Sequence, residues 1–174
     1  MAATRVDRKP RLVVMGVSGC GKSSLSQALA LRLAVSFIEG DELHPPRNVA
    51  LMAAGTPLTD DDRQGWLEAV AQCLAAAEDR GAVVACSALK RRYRDLLRAA
   101  APDLRFVYLR GEQALLDERL RQRAGHYMPA SLLPSQLLTL EPPQADEPAL
   151  TLSITAPLAE QVQSVLTHLE NLHP

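Results

Sequence analysis

Aromatic side chains are scarce in this sequence: 3% of 174 residues, with one Trp, two Phe and three Tyr. The core must therefore come mainly from Leu, Val and Ala. There are three cysteines (Cys20, Cys73, Cys86), widely spaced and without a metal-ligand pattern. Free thiols suit a reducing compartment. Neither sign of charge is in surplus: 19 Lys and Arg stand against 20 Asp and Glu, a net charge of −1. No global field draws this chain to nucleic acid or to an anionic membrane. No apolar run approaches membrane-spanning length. The opening MAATRVDRKPR has basic residues but no apolar signal core behind them, so residues 1–10 read as a frayed tail and a cytoplasmic location is expected. There is no internal repeat, no low-complexity tract, and no Asn-Lys-x-Asp stretch of the kind that reads guanine.

What remains is an ordinary soluble composition, 47% apolar and 22% charged, at a length that suits one domain with a substantial core. The chain is organised around Gly16 to Ser23, GVSGCGKS. It fits Gly, four residues, Gly-Lys-Ser. An apolar run, Leu12 to Met15, precedes it, and Leu25, Ala28, Leu29 and Leu33 follow at helical spacing. Strand, glycine turn and helix together make a phosphate-binding loop. The nucleotide site is therefore expected at Gly16, Val17, Ser18, Gly19, Cys20, Gly21, Lys22 and Ser23. Backbone N–H groups and the helix N-terminus would face the phosphates of ATP. Lys22 would reach the β- and γ-phosphates, and the Ser23 hydroxyl would ligate Mg²⁺.

Downstream, Val35 to Glu39 reads as a strand and Val49 to Ala54 as a short helix. Thr59 and Asp62 form a capping box for a helix running to about Arg80. Ala82 to Cys86 is an uninterrupted apolar strand of the doubly buried kind. A turn and helix over Ser87 to Ala100, a strand at Leu104 to Leu109 and a helix at Glu112 to Arg123 follow. Residues 124–147 hold four prolines and no clear period, and are expected to form a lid. A weak strand at Thr151 to Thr155 and an amphipathic helix at Leu158 to Leu172 close the chain. This alternation implies a doubly wound α/β domain with a five-stranded parallel sheet, its ligands at the carboxyl ends of the strands.

That rule gathers the polar residues. Asp41, after the second strand, is the candidate to accept or orient the proton of an attacking hydroxyl. His44, Arg47 and Arg63 lie in polar segments beside it and suit either an anionic, hydroxyl-rich substrate or solvated surface. Lys90 and Arg94 are four apart after the third strand, on one expected helical face. The apolar run passes straight into Cys86-Ser87, with no acid there to orient a metal; Asp41 is expected to serve through water. Arg119, Arg123 and His126 stand at the root of the lid, where cations neutralise charge on a transferring phosphoryl group or simply suit a helix C-terminus.

With these residues in place the chain resembles the gluconokinases of the small phosphate-loop kinase type. The resemblance runs from about Leu12 to the C-terminus. It is carried by MGVSGCGKS at Met15 to Ser23, GDELHPPRN at Gly40 to Asn48 and PLTDDDRQGWL at Pro57 to Leu67, then by CSALKRRYRDLLR at Cys86 to Arg98 and RAGHYMPASLLPSQLLTLEPP at Arg123 to Pro143. It implies a P-loop fold like that of nucleoside monophosphate kinases, often a homodimer, and ATP-dependent phosphorylation of D-gluconate at its 6-hydroxyl. Asp41, His44, Arg47, Arg63, Lys90, Arg94 and His126 fall in these motifs and are the expected ligands of the sugar acid, with Lys22, Asp41, Arg119 and Arg123 the catalytic set. Leu51 and Gln64-Gly65 depart from the pattern, where relatives often carry a basic residue and a Lys-Pro pair. The rival readings are a shikimate- or nucleotide-type kinase and a non-catalytic nucleotide-binding module. Against the first, there is no Gly-Gly substrate loop of the shikimate kinase kind.

Overall fold

The structure, a computed structural model, describes residues 8–123 and 129–172, so of the expected site residues only His126 lies outside it. The run Arg11–Met15 is strand β1, and all five of its residues are buried. The helix after the glycine turn, α1, spans Lys22–Leu33. Strand β2 (Ser36–Glu39) leads into a 3-10 turn over Gly40–Leu43 and helix α2 (Pro46–Ala53). That helix begins three residues before the expected Val49. Pro46 stands in its first turn, where the missing N–H costs nothing and the fixed φ favours a helical start.

Helix α3 (Asp60–Ala77) opens with the expected capping box. The Thr59 hydroxyl accepts from the Asp62 N–H at 3.1 Å, and the Asp62 carboxylate accepts from the Thr59 N–H at 2.9 Å. The helix yields to a 3-10 turn at Glu78–Arg80 before strand β3 (Ala82–Ala85), all of it buried. Helix α4 (Arg91–Ala100), strand β4 (Arg105–Arg110) and helix α5 (Gln113–Gln122) follow. The chain ends with helix α6 (Leu133–Thr139), strand β5 (Ala149–Ser153) and helix α7 (Leu158–Leu172).

The strands form one parallel sheet in the order β2-β3-β1-β4-β5. β3, and β1 after Arg11, are apolar because helices cover both faces of the sheet there. β2, at the edge, is partly exposed. β1 lies between β3 and β4, so the direction of winding reverses at its carboxyl end and a crevice opens beside Gly16. Leu12, Met15, Leu25, Leu29, Trp66 and Phe106 are among the large side chains sealed in the core beneath it. No helix among the described residues is long and apolar enough to cross a membrane.

The stretch expected to be an irregular lid has more structure than its sequence suggests. A 3-10 turn at Ala130–Leu132 runs into α6, and Leu132 and Leu133 are buried. Seven residues are too few to display a helical period, and Pro134 hides it further; packing, not propensity, holds this helix.

Candidate active site

Two glycines set the geometry of the crevice. Gly16 has φ 144°, and a Cβ there would fall 2.9 Å from the Leu109 carbonyl oxygen. Only glycine lets β1 turn so tightly into the loop. Gly40 is a matter of approach: a Cβ would stand 2.3 Å from the Ala85 carbonyl oxygen, so its absence lets the turn after β2 press against the end of β3.

The cleft is lined by Ser18, Gly19, Gly21, Lys22, Ser23, Asp41 and Arg123. Three separate segments thus converge where the sheet rule puts a ligand. Gly21, with φ 93°, caps α1 and offers no side chain to the helix N-terminus. The first-turn N–H groups are left to an anion. Lys22 Nζ donates to the Val17 carbonyl at 3.0 Å, folded back along the loop.

Ser23 Oγ donates to the Glu39 carboxylate. Glu39, the last residue of β2, thus places a carboxylate beside Ser23, where the sequence pattern directs attention only to the end of β3. Its signal was present, a carboxylate ending a short strand one residue before Gly40-Asp41.

A second wall rises from the turn after β2. Trp66 Nε1 donates to the Gly40 carbonyl at 2.7 Å, and its ring stacks on His44 with centroids 4.1 Å apart. Asn48, buried, donates through Nδ2 to the Asp62 carbonyl at 2.7 Å. That carbonyl can only accept, so it fixes which way the Asn48 amide points. The same Nδ2 lies 3.2 Å from His44 Nδ1, which must then be the acceptor. The His44 proton is therefore on Nε2. Burial pushes the ring's pKa down to about 4, with Asp41 opposing and Arg63 assisting. His44 is a neutral donor at physiological pH. Its one free lone pair is occupied, so it has no base to offer.

The third wall is cationic. Lys90 Nζ and Arg92 donate to the Asp60 carboxylate at 3.1 Å and 3.0 Å, and Tyr93 donates its phenol proton to the same group. Arg63 donates to the Tyr93 hydroxyl at 3.1 Å, and its guanidinium lies 5.6 Å from the ring centre. The Tyr93 bond and then the Lys90 bond hold the Asp60 carboxyl below its usual range. Three cations share one carboxylate and one phenol, which leaves the wall positive.

Three expected site residues stand elsewhere. Arg94 is a correction: it points inward from α4 and is fully buried. Its Nε and Nη2 donate to the Glu147 carboxylate at 2.6 Å and 3.1 Å, and Nη1 donates to the Ala88 and Leu89 carbonyls. Lys90 is the N-cap of α4, so the two do not share the expected face. Arg47 projects into solvent and pairs with Asp62 at 2.6 Å, tying α2 to α3. Arg119 donates to the Ile154 carbonyl at 2.9 Å and is not among the residues lining the cleft. Arg123, the C-cap of α5, does line it.

Residues 12–143 match the family model described as an AAA domain. The chain is 51% identical over 153 residues to the gluconokinase of Gluconobacter oxydans (strain 621H), covering 86% of each chain. The chain belongs to the gluconokinase family. It is also 43% identical over 157 residues to the thermoresistant gluconokinase of Escherichia coli (strain K12), covering 88% of this chain and 90% of that one. The solved structure of a gluconokinase from Sinorhizobium meliloti 1021 superposes with a TM-score of 0.86 at 50% identity, covering 95% of this chain and 94% of the other. The gluconokinase fold is thus a P-loop kinase fold, and the loop takes a nucleotide.

Within this gluconokinase site, the tautomer of His44 makes a testable difference. Burial is what lowers the His44 pKa to about 4; Asn48→Ala should free Nδ1 and let water reach the ring, relieving part of that burial and raising the pKa. The wild-type enzyme should show no His44 step in kcat/KM between pH 5 and 8. The variant should gain one, with activity changing as pH falls through the raised pKa. An unchanged profile would remove Asn48 from this role.

Proposed function

We propose that the protein transfers the γ-phosphoryl group of ATP to the 6-hydroxyl of D-gluconate, giving 6-phospho-D-gluconate and ADP. The observation that carries this reading is a chain of contacts that leads away from the phosphate-loop cleft. The phosphate loop, Lys22 and Arg123 meet Asp41 at one end. His44 follows, then Arg63, Tyr93 and Lys90. Gluconate has the same order: a terminal hydroxyl, a chain of hydroxyls, a carboxylate. Asp41 takes the 6-hydroxyl, His44 donates from Nε2 to a hydroxyl of the chain, and Arg63 and Lys90 hold the carboxylate.

Transfer is in line. The 6-oxygen forms its bond to the γ-phosphorus as the bond to the β-γ bridging oxygen breaks, Asp41 receives the hydroxyl proton, and ADP leaves. Lys22 keeps its bond to the Val17 carbonyl and turns its other N–H donors to the phosphates, and Arg123 neutralises charge on the group in flight. Ser23 and Glu39 supply hydroxyl and carboxylate oxygens, the hard donors that Mg²⁺ prefers. When bound, Mg²⁺ neutralises charge on the β- and γ-phosphates.

The test is a coupled ADP-release assay with ATP and Mg²⁺ and a panel of gluconate, other aldonic acids, shikimate and AMP. Turnover with gluconate and not with shikimate or AMP is expected. Turnover with AMP or shikimate instead would retain the kinase and discard the carboxylate assignment of Arg63 and Lys90. No turnover with any acceptor would leave a nucleotide-binding module.

A further inference from the structure

Helix α6 reaches the phosphate loop through Gln136, whose Oε1 accepts from the Ser18 N–H at 2.7 Å. That N–H and the Val17 carbonyl belong to one planar amide. The carbonyl end of the same amide accepts from Lys22 Nζ at 3.0 Å and from the Cys20 N–H at 3.3 Å. An acceptor on the N–H polarises the amide and strengthens what its carbonyl holds. Gln136 is thus two hydrogen bonds from the Lys22 ammonium, through a contact that spans 118 residues of sequence between Ser18 and Gln136.

The contact braces the loop without filling it. Ser18 lines the phosphate cleft, and Gln136 is not among the lining residues. The helix that carries it is itself anchored: Leu132 and Leu133 are buried, and just past α6 the Glu141 N–H donates to the Leu89 carbonyl at 2.8 Å. On the other side of the segment, Arg123 stands in the cleft.

We propose that Gln136 is a positioning residue for phosphoryl transfer: through the Val17–Ser18 peptide it sets the phosphate loop and Lys22 for the γ-phosphate while α6 is docked. This rests on the reading of the protein as an ATP-dependent kinase. Activity of the wild-type chain in the same assay separates failure of that reading from failure of this one. Positioning errors are costly, because a displacement of about 1 Å at a reacting group lowers rates by up to roughly a hundredfold.

Gln136→Ala, Gln136→Leu and Gln136→Glu would be compared for kcat, for KM with each substrate, for ADP release without gluconate, and for Tm. The Ala and Leu variants should lose about ten- to a hundredfold in kcat with KM for gluconate unchanged. They should also release a larger share of ADP without acceptor, since a loosened helix admits water. The Glu variant keeps an acceptor oxygen at the same reach and should recover most of the lost kcat. An Ala variant with wild-type kcat and a lowered KM for ATP would overturn the proposal and make Gln136 a plug of the loop. A kcat loss that Glu does not restore, with a matching fall in Tm, would overturn it as well.

Discussion

Asp41→Asn should lower kcat with gluconate by about 10²- to 10⁴-fold, the range for removing a positioned proton acceptor. KM for ATP should change little. Asp41 lines the cleft with Lys22, Ser23 and Arg123, beside the loop proposed to hold the γ-phosphate. Asparagine has nearly the same shape and can still orient a hydroxyl, but its amide cannot take a proton. His44, the neighbouring candidate, cannot substitute: Asn48 occupies Nδ1, and Nε2 already carries the ring proton. Wild-type kcat in the Asn variant would leave Asp41 as an orienting group only and hand the proton to the phosphate itself. Measuring kcat and KM for both substrates separates these outcomes, since an orienting role alone would appear in KM for gluconate.

The sequence made the nucleotide half of this site easy to read. A phosphate loop is local: strand, glycines, Lys-Ser and helix lie within about two dozen residues, and each has its own chemical signature. Asp41 was legible by the same logic, because the carboxyl end of a parallel strand is a place that topology assigns. The Thr59–Asp62 box was legible because its two partners are three residues apart. What the sequence concealed was pairing at a distance. Whether an arginine on α4 faces substrate or core depends on a partner 53 residues later, and nothing local in RRYRD distinguishes Arg92, which is exposed, from Arg94, which is buried. Glu39 was hidden for a related reason: its partner Ser23 lies across the crevice on another element. The orientation of His44 depends on a chain of two hydrogen bonds ending at a backbone carbonyl, which no residue pattern records.

Arg94 therefore supports the second large effect, and it is an effect on stability. Arg94→Met should destabilise the fold by about 3–5 kcal/mol, because it leaves the Glu147 carboxylate buried without its cation. The pair joins α4 to the segment leading into β5, and Glu147 also accepts from the Gln144 N–H at 2.8 Å. Burial works against the charge on Glu147, yet the Arg94 bond and the Gln144 N–H hold its carboxyl below the ordinary 4.5. The sign follows. A lowered carboxylate pKa contributes stability that is present above the unfolded value and lost as pH falls through the folded one. Wild type should weaken below about pH 4.5, and the variant should show less of that acid step. Urea unfolding at several pH values measures both, with the midpoint moving and the slope unchanged. Removing both charges, as in Arg94→Met with Glu147→Leu, should recover most of the loss, since an apolar pair of similar volume avoids the desolvation penalty. The decisive comparison is with catalysis. At a temperature where Arg94→Met is folded, KM for gluconate should stay close to wild type, whereas Arg63→Met, on the cationic wall, should raise it. A selective rise in KM for Arg94→Met with intact stability would return Arg94 to the substrate site and overturn its assignment as a structural cation.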